Sequence, residues 1–262
     1  MSLAVAIEAS DGIVLGADSR ATYGDPRGLT AVNDTVQKIY RLTPRTAIAL
    51  VGQAETGASL IQRITAGLAT TPNTDVDGAA ESIRTIGNQY FTQWFGPPQF
   101  LPGPMGPTPA PRPDIWFLLI GFAANDQPKI ISMGSTPPFN FAPNLSTTGF
   151  AASGVVPLAV YLLNRLYKRG ISLEIAKDLV AYCILETASQ DGKVGGPIRL
   201  AVARRRAEIV ILSDEETLEI GGRADRHRES LRKSFLSLAQ SAAAPVGAAV
   251  AAEDTPQSPA NR

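Results

Sequence analysis

The first eighteen residues commit the chain to β structure. Leu3–Ala9 and Ile13–Asp18 are two apolar runs on either side of Ser10-Asp11-Gly12. An Asp-Gly turn between such runs is a strong short-range sign of a hairpin. A strand that begins at the third residue also places the start of the chain inside the core, where termini ordinarily fray. A second pair of runs follows, Gln37–Leu42 and Thr46–Val51, around Thr43-Pro44-Arg45. Residues 22–35 between the pairs are polar, hold Gly24, Pro26 and Gly28, and read as loop.

Helical spacing takes over at Ala54–Leu68 and Val76–Phe95. Residues 97–113 hold eight prolines and two glycines, which excludes helix or central strand and predicts an exposed loop. Asp114–Phe122 and Lys129–Met133 read as a third hairpin around Asn125-Asp126-Gln127. Val155–Tyr167 and Ser172–Ser189 read as two helices split at Gly170, and Ile198–Ala203 and Glu208–Leu212 as two more strands. Arg223–Ser241 reads as a charged helix. The Ala-, Pro- and Ser-rich residues 242–262 read as a disordered tail outside the core. The expected domain therefore spans residues 2–241 and carries the Pro-rich loop 97–113. Runs of strands alternating with helix pairs predict an α+β fold, with two antiparallel sheets and helices on the outer faces.

The charge balance narrows the function classes. Lys plus Arg is 24 and Asp plus Glu is 24, so the formal net charge is zero. Nothing electrostatic then favours nucleic acid or an anionic membrane as partner. The one cysteine, Cys183, cannot form an intrachain disulfide, and with one histidine, His227, a zinc site is a poor reading. Cys183 sits in the apolar helical stretch Leu179–Leu185 and reads as a small buried hydrophobe. His227 sits in an Arg-rich polar helix and reads as solvated, which argues against a His-based triad. No segment is apolar for long enough to cross a membrane, and the N-terminus lacks the basic region of a signal peptide. The expectation is a cytoplasmic protein without a cofactor.

Ser2 becomes the first residue once the initiator Met1 is removed, which a small second residue permits. A serine hydroxyl needs a base. The α-amine of the same residue can serve, since its unperturbed pKa of roughly 8 leaves part of it neutral near pH 7. A nearby cation enlarges that fraction. Serine at position two is commonplace by itself; its place at the head of a core strand is not.

The segment Asp11-Gly12-Ile13-Val14-Leu15-Gly16-Ala17-Asp18-Ser19-Arg20-Ala21-Thr22 resembles the first hairpin of proteasome β-type subunits, with its acid-x-Arg-x-Thr signature. The spacings from Ser2 to Asp18 and from Lys38 to Gly52 match those of the family. Ala152-Ser153-Gly154 and Gln190-Asp191-Gly192-Lys193-Val194-Gly195-Gly196 resemble its downstream motifs. The likeness runs over roughly residues 2–213. It extends to bacterial proteasome-like peptidases related to HslV and Anbu.

The resemblance implies the four-layer αββα sandwich of N-terminal-nucleophile hydrolases and the following roles. Ser2 attacks the peptide carbonyl and forms an acyl ester, and its α-amine relays the proton. Lys38 stays charged and is held by Asp18, with Arg20 supporting the pair. The Gly52 amide donates to the oxyanion. Ser153 and Asp191 orient the amine. Thr22 hydrogen-bonds an extended substrate, and Ala21, Val36, Leu50 and Ala54 line an apolar primary pocket suited to hydrophobic side chains. The resemblance further implies a peptide or unfolded-protein substrate, a homo-oligomeric ring and an ATP-dependent unfoldase as partner.

Three departures stand out. The nucleophile is Ser where the family has Thr, Val194 replaces a serine that contacts the amine, and no propeptide precedes Ser2. Two other functions stay open: another acyl transfer (amidase, acylase or peptide ligase), and a non-catalytic scaffold in which Met1 is retained. Taken singly, Asp18, Arg20 and Lys38 also fit a structural ion-pair network, and Gly52 a strand end.

Overall fold

The computed structural model describes residues 2–24, 30–71, 74–97, 99–102, 106 and 108–242. The chain opens with strands β1 (Leu3–Ala9), β2 (Gly12–Ala17), β3 (Ala21–Gly24), β4 (Thr30–Asn33), β5 (Ile39–Thr43) and β6 (Thr46–Gly52). Helices α1 (Ala54–Leu68) and α2 (Val76–Phe95) follow. Next come β7 (Phe100–Leu101), β8 (Thr108–Pro109), β9 (Ile115–Phe122), β10 (Pro128–Gly134), β11 (Asn144–Leu145) and β12 (Phe150–Gly154). The chain continues with α3 (Pro157–Leu166), α4 (Leu173–Gln190), β13 (Arg199–Arg204), β14 (Val210–Ile211) and α5 (Asp214–Ala242). Two compact units divide it, residues 1–225 and 226–262. Every sheet and the site described below lie in the first.

One sheet has the order β12-β1-β2-β13-β14 and the other β11-β10-β9-β6-β5, with all pairs antiparallel. Alternation along each strand assigns its side chains to layers. Leu3, Val5 and Ile7 of β1 pack with Leu163, Val180 and Ile184 of α3 and α4. The intervening Ala4 and Ala6 face inward, with Ala47, Ala49, Leu118 and Ile120 of the second sheet. On that sheet's far face, Ile48, Leu50, Phe117 and Leu119 meet Leu60, Ile64 and Ile83 of α1 and α2. The result is the expected αββα sandwich, and the alanines between the sheets let the two strand layers approach closely.

Four local expectations are corrected. Residues 22–35 are not all loop: Ala21–Gly24 pairs with Thr30–Asn33, and residues 25–29 lie outside the described residues. Ala21–Gly24 is only half-buried to exposed, so it needs no apolar alternation. Within the Pro-rich stretch, Phe100–Leu101 pairs with Thr108–Pro109. The final helix begins at Asp214 rather than near residue 223, because Asp214, Glu215 and Glu216 suit a helix's first turn. The strand Phe150–Gly154, an unexpected one, pairs with β1. The tail assignment concerns residues outside the described ones from 243 onward.

Candidate functional site

Ser2 is held in place by the strands on either side of it. The strand it heads runs between two neighbours, β12 and β2, so the main chain is fixed from both sides. The Ser2 carbonyl accepts from the Val155 amide at 2.9 Å, and the next carbonyl, Leu3, accepts from Asp18 N at 3.2 Å. Gly154 closes the approach with φ +98°; a Cβ there would lie 1.8 Å from the Ser2 oxygen. Ser2 is 5% exposed.

Asp18 directly follows β2, fully buried, and collects four donors. Oδ1 accepts from Leu3 N at 3.0 Å and from Lys38 Nζ at 2.7 Å. Oδ2 accepts from Arg20 N at 3.2 Å and from Gly195 N at 3.0 Å. The Lys38 ammonium also donates to the Arg20 carbonyl at 2.5 Å. Burial pushes the Lys38 pKa below the usual lysine range, against the opposing pull of the Asp18 carboxylate. Lys38 is placed by the main chain: its carbonyl accepts from Leu50 N at 2.8 Å, just ahead of β5.

Arg20 supports the pair through its main chain. Its guanidinium turns elsewhere, gripping Asp34 from Nε at 2.7 Å and Nη2 at 2.8 Å, and donating from Nη1 to the Gly192 carbonyl at 3.1 Å. Asp34 escaped the sequence reading because it sits in a polar stretch without periodicity. Its one legible signal is that it is an acid between Arg20 and Lys38.

Ser2, Ala21, Thr22, Val36, Lys38, Leu50, Gly52 and Ala54 line one open cleft, together with Tyr23, Gly24, Gln53 and Glu55; its volume is about 290 Å³. All five residues expected to contact substrate thus share the cleft with the expected nucleophile, lysine and oxyanion glycine. The four unforeseen lining residues are sequence neighbours of expected ones. Thr22 Oγ1 is buried with no hydrogen-bond partner. Gly52 has φ +103°, a left-handed conformation at the junction of β6 with α1.

Ser153 and Asp191 do not line the cleft. Ser153 is buried in β12 opposite Ala4, one position along from the Leu3–Gly154 pair. The Asp191 carboxylate accepts from Lys193 N at 2.9 Å and so shapes its own turn. Val194 is fully buried in the apolar cluster under α3 and α4. Cys183 is fully buried and its thiol is pushed up to about 12, chiefly by burial, while His227 is exposed on α5.

Residues 2–98 match the proteasome subunit family. Among solved structures, the chain is similar to the Anbu (Gly-1) mutant from Hyphomicrobium sp. strain MC1. The TM-score is 0.66 at 16% identity, over 90% of this chain and 96% of that one. A likeness at that identity speaks for the fold. No curated protein matches.

Proposed function

We propose that this chain, with its proteasome-subunit match over residues 2–98, is an N-terminal serine peptidase that works within a ring of like subunits. The observation that carries the reading is the shared cleft, which Ser2, Thr22, Lys38 and Gly52 line together.

With Met1 gone, the Ser2 hydroxyl attacks a peptide carbonyl and its own α-amine accepts the proton, directly or through water. The C–N bond breaks, the amine product leaves with that proton, and Ser2 holds the acyl group as an ester. Water then attacks the ester and restores the hydroxyl. The buried Lys38 charge lowers the proton affinity of the amine and hydroxyl beside it. The Gly52 amide donates to the oxyanion, and the Thr22 hydroxyl to the extended substrate. Ser153 and Asp191 order the strand and turn around the amine. The apolar Ala21, Val36, Leu50 and Ala54 favour cleavage after hydrophobic residues, and the Glu55 carboxylate disfavours acidic ones. An unfoldase partner would deliver unfolded protein to such a ring.

A peptide β-lactone, which acylates an activated hydroxyl, tests the site. The proposal requires one adduct, located by mass spectrometry on Ser2 of the Met-free chain. An adduct confined to another residue contradicts it. Light scattering of the same sample reads the oligomer, and a monomer contradicts the ring.

A further inference from the structure

Arg20 is unusual in that its two halves serve different partners. Its amide donates to Asp18 and its carbonyl accepts from Lys38. Its side chain is 25% exposed, and the guanidinium makes a two-pronged ion pair with Asp34 and reaches Gly192. Two-pronged Arg–carboxylate pairs fix orientation as well as charge.

The turn after α4 is built onto this pair. Gly195 approaches the guanidinium closely: a Cβ there would stand 2.6 Å from Arg20 Cζ. Gly196, at φ +72°, has no room for a Cβ against the Asp34 main chain, at 2.8 Å. Gly195 in turn donates its amide to Asp18 Oδ2 and accepts from Ser19 N at 3.0 Å, while Ser19 accepts from Val36 N at 3.1 Å. One connected set therefore joins the turn, the Asp18 carboxylate and the cleft wall at Val36.

We propose that Asp34 is a positioning residue: paired with Arg20, it clamps the 192–196 turn onto Asp18 and so fixes the Asp18–Lys38 pair beneath Ser2. The inference rests on the peptidase reading for its effect on turnover, but its electrostatic part stands apart from catalysis. Burial lowers the Lys38 pKa most; among the neighbouring side chains, the Asp18 and Asp34 carboxylates hold its proton on and the Arg20 guanidinium works against it, as the freed Ser2 amine of the proposed mechanism also would when charged. Neutralising Asp34 leaves the Arg20 charge uncompensated beside Lys38.

Two measurements on the full chain read the two parts. The first is an NMR titration of the Lys38 ε-position in a Ser2→Ala background, where turnover plays no role. Asp34→Asn should move the Lys38 titration to lower pH and Arg20→Gln to higher pH, with Asp34→Glu close to the parent. The second is steady-state kinetics with Ser2 intact, where Asp34→Asn and Arg20→Lys should each lower kcat by about tenfold or more, as small misplacements do, and Asp34→Glu should recover most of it. An unmoved Lys38 titration in Asp34→Asn overturns the inference, and so does an unchanged kcat in an active parent. A parent without turnover contradicts the peptidase reading alone, since the titration still decides the placement of Asp34. If Asp34→Asn fails to fold while Asp34→Glu folds, the opposite shift in Arg20→Gln decides it.

Discussion

Lys38 and Asp18 form a buried ion pair: Nζ lies 2.7 Å from Oδ1, with the side chains 4% and 0% exposed. Such a pair is costly to break from one side, because the remaining charge stays buried without compensation. Asp18→Ala would strand the Lys38 ammonium and the amides of Leu3, Arg20 and Gly195 together. The expected loss of stability is about 3–5 kcal/mol, read as a lowered denaturation midpoint. An unchanged midpoint would mean that water already reaches the pair.

The pH dependence of kcat/KM follows from the same pair. On the acid side, the Ser2 amine must lose its proton before it can act as base. On the proposed mechanism the positive Lys38 charge disfavours protonation of that amine, which moves the rising limb to lower pH. On the alkaline side, burial has lowered the Lys38 pKa. Lys38 therefore loses its charge before the usual lysine range is reached, and activity should decline there. The expected profile is a bell. Lys38→Met should remove the alkaline limb along with most of the rate. A profile that rises without decline to the normal lysine range contradicts this assignment.

Gly154 tests whether the strand edge places the nucleophile. Its φ of +98° and the 1.8 Å approach of a Cβ to the Ser2 oxygen leave no room for a side chain. Gly154→Ala should cost about 1–3 kcal/mol through strain and displacement. It should also reduce kcat well beyond the loss of folded protein, with the expressed chain otherwise intact. A fully active Gly154→Ala protein would show that Ser2 tolerates movement of β12.

Much of this was written in the sequence, and the misses have physical causes. The hairpin at Leu3–Ala17 announces itself as two apolar runs about an Asp-Gly turn, because its strands are buried on both faces, and the helices Ala54–Leu68 and Val76–Phe95 through apolar periodicity, because each buries one face. The strand Phe150–Gly154 does not: Ala151, Ala152, Ser153 and Gly154 are small, and its partner β1 decides its conformation. The β3–β4 pair hides in the same way, since Ala21–Gly24 lines an open cleft and is half-buried to exposed, so no core imposes an apolar alternation on it. At the site, the resemblance singled out Ser2, Asp18, Lys38 and Gly52, and the structure brings Ser2, Lys38 and Gly52 into one cleft with Ala21, Thr22, Val36, Leu50 and Ala54. Spacing could not disclose that the Arg20 side chain points to Asp34, because that pairing depends on how the 192–196 turn returns to the first hairpin.

Cys183 offers a negative control with a positive expectation. Its thiol is fully buried and raised to about 12, so maleimide or iodoacetamide at pH 8 should leave both the native thiol and the activity untouched. Cys183→Ser should keep kcat while losing about 1–3 kcal/mol by burying a hydroxyl in an apolar cluster. Inactivation by a thiol reagent, with Cys183 labelled, would point to a different nucleophile.

The central claim is that Ser2, freed of Met1, is the nucleophile. Intact mass of the purified protein, taken beside peptide hydrolysis by the parent and by Ser2→Ala, tests it most directly. The account predicts a parent mass lacking methionine, measurable hydrolysis, and none above background in Ser2→Ala of equal stability. A parent that retains Met1, or a Ser2→Ala protein as active as the parent, would contradict it.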